Sequence, residues 1–288
     1  MAITIQQGLD QAITRLGSMS DSTALDAQIL LSHVSGQTRS WVLAHPETPL
    51  TPQQETLLET ALVDLTLGKP LPYILGHWEF FGLDFYVTPD VLIPRPETEL
   101  LVEKAIAWLE GRPDARSAVD VGAGSGCIAI SIAARIPRLH ISATDISPRA
   151  LEVAKRNAEK FSVADRIDFV CCDLLPPAGT TYDLIVANLP YIPTQTMKSL
   201  PVYGREPTLA LDGGSDGLEL VRRLITLAPR FLAPGGMMLL EIESSQGMAA
   251  LSLVYDTFSH ASIHLHRDLS NRDRLIEVQT HAGHDRLS

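Results

Sequence analysis

Cysteine is scarce in this 288-residue chain: Cys127, Cys171 and Cys172 are the full set, and no C-x-x-C pair is among them. An odd, sparse set excludes a disulfide framework and a structural zinc site, and it suits a reducing compartment. No apolar run approaches the roughly 18 residues that a membrane span requires. No basic stretch leads into an apolar run at the start, where Asp10 interrupts, so no secretory signal is expected. A cytoplasmic protein with no membrane partner is the expectation. Basic charge is also short, 23 Lys and Arg against 34 Asp and Glu, for a net charge of -11. That balance argues against a protein held by phosphate neutralisation, and no stable nucleic-acid binding is expected. The histidines, His264 and His266 included, show no metal-ligand spacing, and no metal is expected.

What is present is ample core material: 45% of residues are apolar and 20% charged. The length favours a large and a small domain. Over residues 2–70, Ile5, Leu9, Ala12, Ile13 and Leu16 recur at helical spacing. Ser20, Asp21 and Ser22 offer caps for a second helix through Leu30 and Leu31, and Thr51-Pro52 opens a third, ended by Gly68 and Pro70. No acid, base or nucleophile cluster stands out here, which suits a helical bundle for recognition. Tyr73, Trp78, Phe80, Phe81, Phe85 and Tyr86, broken by Gly76 and Gly82, suggest a hairpin bridging two domains. From residue 117 strands and helices alternate, as in a parallel sheet covered on both faces. Strands are expected at 118–121, 140–143, 167–171, 182–187, 236–242, 262–266 and 274–279, and helices at about 126–135, 148–161, 216–232 and 246–258.

Two segments carry chemistry. Asp120-Val121-Gly122-Ala123-Gly124-Ser125-Gly126 follows an apolar strand and opens a helix, and its glycines let backbone approach a ligand where a Cβ would clash. The spacing is G-x-G-x-G, not the dinucleotide G-x-G-x-x-G, and a nucleoside sulfonium has no pyrophosphate to cradle. Asp145, about twenty residues on, can accept ribose hydroxyls; it also reads as a helix cap before Pro148, unless Ser147 is the cap. Asp173 is placed for an adenine edge, although an ordinary loop aspartate fits equally. The sharpest signal is Asn188-Leu189-Pro190-Tyr191, at the carboxyl end of the strand Leu184-Ile185-Val186-Ala187. A planar amide or exocyclic amine is a poor nucleophile, because its lone pair is delocalised. The Asn188 oxygen and the Leu189 carbonyl can accept its two N–H groups while Tyr191 stacks on its plane. With a sulfonium methyl donor alignment is the main task, and it can supply about 7–11 kcal/mol.

These residues resemble the protein-(glutamine-N5) methyltransferases that modify peptide chain release factors. The resemblance runs along almost the whole chain. It is most specific at Leu92 through Leu100 (Leu-Ile-Pro-Arg-Pro-Glu-Thr-Glu-Leu), Asp120 through Gly126, Asp145 through Pro148 and Asn188 through Tyr191, with weaker support at Tyr73–Gly76 and Glu206–Leu218. It implies a Rossmann-like class I methyltransferase fold, α/β with a seven-stranded, mostly parallel sheet, a small N-terminal helical domain and a bridging β-hairpin. The implied division is 1–72 for substrate recognition, 73–95 for the hairpin linker and 96–288 for an S-adenosylmethionine-binding catalytic domain. The implied reaction is methylation of the glutamine side-chain amide in the release factor's Gly-Gly-Gln loop. Carried over, Asp120, Gly122, Ala123, Gly124, Ser125 and Gly126 border S-adenosylmethionine together with Asp145, Ile146, Asp173, Leu174 and Asn188. Asn188, Leu189, Pro190 and Tyr191 hold the glutamine, with Arg95, Glu97 and Glu99 near the mouth; a helix start with an acidic first turn explains those three equally well.

The family usually reads Asn-Pro-Pro-Tyr, and Leu189 here departs from it. Glu241-Ile242-Glu243 likewise replaces the usual Glu-Ile-Gly. Asn-Leu-Pro-Tyr also resembles ribosomal RNA adenine-N6 dimethyltransferases, so an adenine-N6 methyltransferase acting on RNA or DNA stays open, as does a non-catalytic donor-binding module.

Overall fold

The computed structural model describes residues 2–17, 22–177 and 179–281. It divides the chain into two units, Met1–His77 and Trp78–Ser288. In the first unit, threonine caps and apolar spacing set the helices. Thr4 and Gln7 form a capping box at α1 (Ile5–Leu16), and Thr51 and Gln54 form another at α4 (Pro52–Thr66), where Pro52 occupies the first turn without losing a bond. Between them lie α2 (Thr23–Ser35) and α3 (Arg39–Ala44), and α5 (Leu71–Leu75) follows. Ser22 directly precedes α2; Ser20 and Asp21 lie outside the described residues. The buried stripe Ile5, Leu9, Ala12 and Leu16 meets Leu30, Leu31 and Val34 of α2 and Leu58, Leu62 and Leu65 of α4.

The hairpin is shorter than the 73–95 expected for the linker. The first residues of that span, Tyr73 among them, form α5, and the hairpin is confined to β1 (His77–Phe80) and β2 (Leu83–Tyr86). A 3₁₀ turn (Pro96–Thr98) then leads into α6 (Glu99–Glu110).

The sheet runs β3 (Ser117–Val121), β4 (His140–Asp145), β5 (Ile167–Cys171), β6 (Tyr182–Ala187), β7 (Leu232–Glu241), β8 (Ser262–Arg267) and β9 (Asp273–Gln279). Across the sheet the order is β5-β4-β3-β6-β7-β9-β8, parallel except for the two pairings of β9. The helices are α7 (Cys127–Arg135), α8 (Pro148–Lys160), α9 (Thr194–Met197), α10 (Glu219–Leu227) and α11 (Gly247–Thr257). This is the seven-stranded class I methyltransferase architecture.

Side-chain parity explains the two layers, because successive residues of a strand point to opposite faces. Ala118, Leu184, Val186, Met237 and Leu239 bury against α6 and α7 with Phe80 and Phe85. Val119, Val121, Ile185, Ala187, Met238 and Leu240 bury against α10 and α11. Both parities are apolar because both faces are covered.

The order reverses between β3 and β6, and ligands bind at such a switch point. β3 and β6 pair in register from Ala118↔Leu184 to Val121↔Ala187. The glycine loop after Val121 and the turn after Ala187 therefore leave the sheet side by side. Pairing alone brings the two sequence signals together. Among the described residues no helix is long and apolar enough to cross a membrane.

One buried polar residue ties the hairpin to the glycine loop. Asn157 of α8 accepts from Tyr86 N–H at 2.7 Å and donates to the carbonyls of Tyr86 (3.0 Å) and Ser125 (2.9 Å). Asn157→Leu keeps the bulk but strips partners from buried backbone groups, at about 1–3 kcal/mol for each group left unmet. The expected result is a lower thermal unfolding midpoint together with weaker donor binding, measured by calorimetry; an unchanged midpoint contradicts it.

Candidate active site

A cavity of about 340 Å³ opens at the carboxyl ends of β3, β4 and β6. Gly122, Gly124, Asp145, Ile146, Asp173, Leu174, Asn188, Leu189 and Pro190 line it. A smaller cavity of about 110 Å³ adjoins, lined by Leu92, Arg95, Tyr191, Ile192 and Val202, and again by Asn188, Leu189 and Pro190. One turn thus walls both cavities.

The donor-side residues fit a nucleoside. Gly124 lies at φ +55°, and a Cβ built there meets nothing within 4 Å, so open space faces that position. Its N–H donates to Asp145 Oδ2 at 2.9 Å, and Ser147 N–H donates to Oδ1 at 2.8 Å. Ser147 is the helix cap, accepting from Ala150 N–H, so Asp145 is free of that task and sits fixed at the rim. Each carboxylate oxygen keeps a lone pair for a ribose hydroxyl. Ile146, an exposed apolar side chain, offers a flat ligand an apolar wall. Leu174 holds φ +64° and its carbonyl accepts from the Thr144 hydroxyl at 2.6 Å. A strained leucine at a cavity wall is the kind of backbone cost that functional sites retain. These groups fit S-adenosylmethionine. Asp145→Ala is expected to weaken donor binding at least about tenfold, since one bond to a charged group contributes about 1.5–3 kcal/mol; isothermal titration with the donor checks this.

Other expected donor contacts fall elsewhere. Asp120 is fully buried behind the glycines, and its Oδ2 accepts Ala129 N–H at 3.0 Å in the first turn of α7. Burial pushes its carboxyl up to about 7, against the pull of that N–H. Its place is a helix-start anchor, off the cavity wall. Ala123 and Ser125 are buried too, and Gly126 packs helices: a Cβ there would lie 2.9 Å from Ile130 Cδ1 and 3.1 Å from Ala154 Cβ. Asp173 does reach the cavity, but Arg223 Nη2 holds its Oδ2 at 2.6 Å.

On the acceptor side, Asn188 Nδ2 donates to Thr98 Oγ1 at 2.9 Å, which leaves its oxygen for a ligand. The buried Leu189 side chain packs toward Gly122, where a Cβ would come within 3.1 Å of its Cδ2. The leucine that replaces the family's proline thus joins the two loops. Burial, with the Glu241 charge beside it, pushes the Tyr191 phenol up to about 12, so it stays neutral. Arg95 lines the smaller cavity while its guanidinium is paired with the buried Glu206, whose other oxygen accepts Ile93 N–H at 3.1 Å. Glu97 is exposed and lines neither cavity; Glu99 accepts Phe81 N–H at 2.8 Å.

The sequence reading missed the supports. Thr98 lies inside Pro-Glu-Thr-Glu, where it reads as a helix start. The buried Glu241 ends β7, and burial, opposed by Thr98, Arg274 and Asn188, raises its carboxyl to about 7. The loop at 213–217 presses on the turn's own backbone: a Cβ on Gly217 would meet Tyr191 O at 2.3 Å. Its sequence, Gly213 through Asp216, already reads as a loop near the site; the contact it makes is what the sequence does not assign. Among the described residues no cluster of three or more His, Cys, Asp or Glu is placed to hold a metal ion.

Two family descriptions match the chain, PrmC N-terminal domain over residues 7–76 and Methyltransferase small domain over residues 97–200. A Moorella thermoacetica protein named release factor glutamine methyltransferase is 42% identical over 275 residues, 94% of this chain and 97% of that one. A protein of the same name from Bordetella pertussis is 40% identical over 254 residues, 87% of this chain and 93% of that one. The crystal structure titled SAM Dependent Methyltransferase from Agrobacterium tumefaciens matches with a TM-score of 0.51 at 14% identity, covering 72% of this chain and 71% of that one. At that identity the likeness is one of fold.

Proposed function

The chain belongs to the release factor glutamine methyltransferases, and on that premise we propose that Asn188, Leu189, Pro190 and Tyr191 grip the target glutamine while the larger cavity holds the donor. The enzyme transfers a methyl group from S-adenosylmethionine to a glutamine of a peptide chain release factor. We place the modified atom at the side-chain amide nitrogen of the Gly-Gly-Gln loop. What supports the reading is one observation: the two cavities share Asn188, Leu189 and Pro190 as a common wall.

S-adenosylmethionine supplies a sulfonium methyl that needs no further activation. The protein's share is to hold the amide in line with it. Asn188 Oδ1 and the Leu189 carbonyl accept the two amide N–H groups, which aims the nitrogen along a line into the larger cavity. Tyr191, neutral and largely buried, closes the slot against water, and Pro190 stiffens it. As the N–C bond forms, the bond between that methyl and the donor's sulfur would break and leave a thioether; the nitrogen's surplus proton would then pass to solvent as the slot opens, because the Asn188 and Leu189 oxygens only orient the N–H groups and are too weakly basic to take it. Asp145 and the glycine loop fix the donor, while Asp173 and Leu174 border its adenine.

The first unit is read as the docking domain for the release factor, since 7–76 carries the family's N-terminal match and no reactive cluster. The acidic balance supports a protein substrate over a nucleic acid, and scarce cysteine supports a cytoplasmic site of action. The test is incubation of the enzyme and labelled donor with purified release factor or with ribosomal RNA, followed by peptide mass spectrometry. A 14-Da gain on the loop glutamine (one CH₂, on the order of the mass of a single methyl substitution) is expected. Label in RNA alone overturns the reading in favour of the adenine-N6 alternative.

A further inference from the structure

A carboxamide is nearly symmetric in shape, and its two ends differ only in polarity. To receive an acceptor NH2, Asn188 must turn its oxygen outward. The flipped rotamer fits the same space and presents NH2 to NH2, so some group has to select one orientation.

Thr98 makes the inward contact. It is buried, and its hydroxyl oxygen accepts Asn188 Nδ2–H at 2.9 Å. A hydroxyl has one proton and two lone pairs, so it serves either orientation: it accepts from Nδ2, or it donates to Oδ1 once flipped. The destination of its proton decides which. Glu241 is 1% exposed at the end of β7, and because Leu240 pairs with Ala187 it leaves the sheet beside Asn188. Neither carboxylate oxygen has a hydrogen-bond partner, and the Thr98 and Asn188 side chains are among the groups that favour its charged form. The nearby Arg274 is committed elsewhere, to Asp268 at 3.2 Å and the Ile242 carbonyl at 3.5 Å. A buried carboxylate with no committed cation is costly, and sites that keep one commonly use it.

The geometry points to Glu241 as a positioning residue: through Thr98 it fixes which end of the Asn188 carboxamide faces the acceptor, a role that rests on the reading of Asn188 given above. As a carboxylate Glu241 only accepts, so it draws the Thr98 proton and leaves the hydroxyl lone pair for Asn188 Nδ2. The second Nδ2 hydrogen is drawn the same way. Both attractions hold NH2 inward and oxygen outward.

The experiment compares Glu241→Gln, Thr98→Val, Thr98→Ser and Asn188→Ala in kcat, KM for release factor, donor affinity and unfolding temperature. Gln at 241 offers Thr98 either end of an amide and removes the bias; Val at 98 removes the relay; Ser restores it. Glu241→Gln and Thr98→Val are expected to lower kcat by about 10–100-fold, the usual scale for residues that orient a contacting group. Donor affinity stays as in the wild type, and Thr98→Ser recovers most of the rate. Glu241→Gln also melts at or above the wild-type temperature, since it removes an unpaired buried charge. A purely structural Glu241 would give the opposite pairing, a lower melting point with kcat little changed. Wild-type kcat in both Glu241→Gln and Thr98→Val, with Asn188→Ala inactive, overturns the positioning role and spares the reading of Asn188. Equal impairment in Thr98→Val and Thr98→Ser overturns it as well, because the hydroxyl would then be irrelevant. Wild-type turnover in Asn188→Ala removes the reading beneath it. Should Glu241→Gln not fold, the Thr98 pair decides alone.

Discussion

Asn188→Ala is expected to lower methyl transfer to the release-factor glutamine on the order of 10²–10³-fold, the scale for removing one preorganised hydrogen-bonding group from a reacting centre. Donor affinity stays nearly unchanged, because the donor is held by the glycine loop and by Asp145, whose own bonds to Gly124 and Ser147 do not involve residue 188. The side chain removed has one anchored end, Nδ2 on Thr98, and one working end, Oδ1. Losing the working end leaves the amide nitrogen free to rotate its lone pair off the transfer line. The defect therefore lies in kcat and kcat/KM together, as for a contact made most strongly in the transition state. Single-turnover kinetics with saturating donor, beside donor titration, separates the two quantities. A variant that binds donor poorly and turns over normally once saturated would place Asn188 in the donor site instead.

The role proposed for Asn188 starts from four residues, because a strand end, an Asn, a Pro and an aromatic ring each constrain the same place. The sheet was legible for a similar reason: runs such as Leu184–Ala187 are apolar in both parities, and only a strand covered on both faces needs that. Contact-level assignments were harder. Asp120 belongs to the motif but faces α7, since a strand's side chains alternate and the sequence does not say which parity meets the ligand. Gly126 signals close approach equally well whether the approaching atoms are a ligand's or, as here, those of Ile130 and Ala154. Thr98 and Glu241 lie 143 residues apart and come to the same place only through Asn188, which bonds to Thr98 and follows the strand that pairs beside Glu241. Both fall in segments that carry the family resemblance, but nothing in either segment says that they share a neighbour. The short helix Leu71–Leu75 was hidden because Pro70 and Pro72 punctuate it and its aromatic Tyr73 favours a strand.

Gly213→Ala is expected to be almost as damaging as the loss of Asn188, although residue 213 lines neither cavity. A Cβ there would lie 2.7 Å from Pro190 O, 2.7 Å from Gly217 O and 2.8 Å from Tyr191 Cα. All three are main-chain atoms, so no side-chain rotation relieves the clash and the backbone has to move. The segment has little freedom to move alone: Gly213 N–H donates to Ile192 O at 2.9 Å and Ile192 N–H to Leu211 O at 3.1 Å. Gln246 Nε2 also clamps the Tyr191 carbonyl at 2.9 Å. The displacement is therefore passed to Pro190 and Tyr191, whose place relative to Asn188 sets the width of the acceptor slot. A shift of about 1 Å in such a slot costs roughly 10²-fold in rate. Donor affinity holds, since the glycine loop and Asp145 are untouched, and this separates the effect from general unfolding. Gly111→Ala is the control: its added methyl meets nothing nearer than the Trp108 carbonyl at 3.5 Å, an ordinary contact, and its rate should match the wild type. If Gly213→Ala binds donor and methylates at the wild-type rate, the backbone of Pro190 and Tyr191 tolerates displacement, and the slot is not held by the loop behind it.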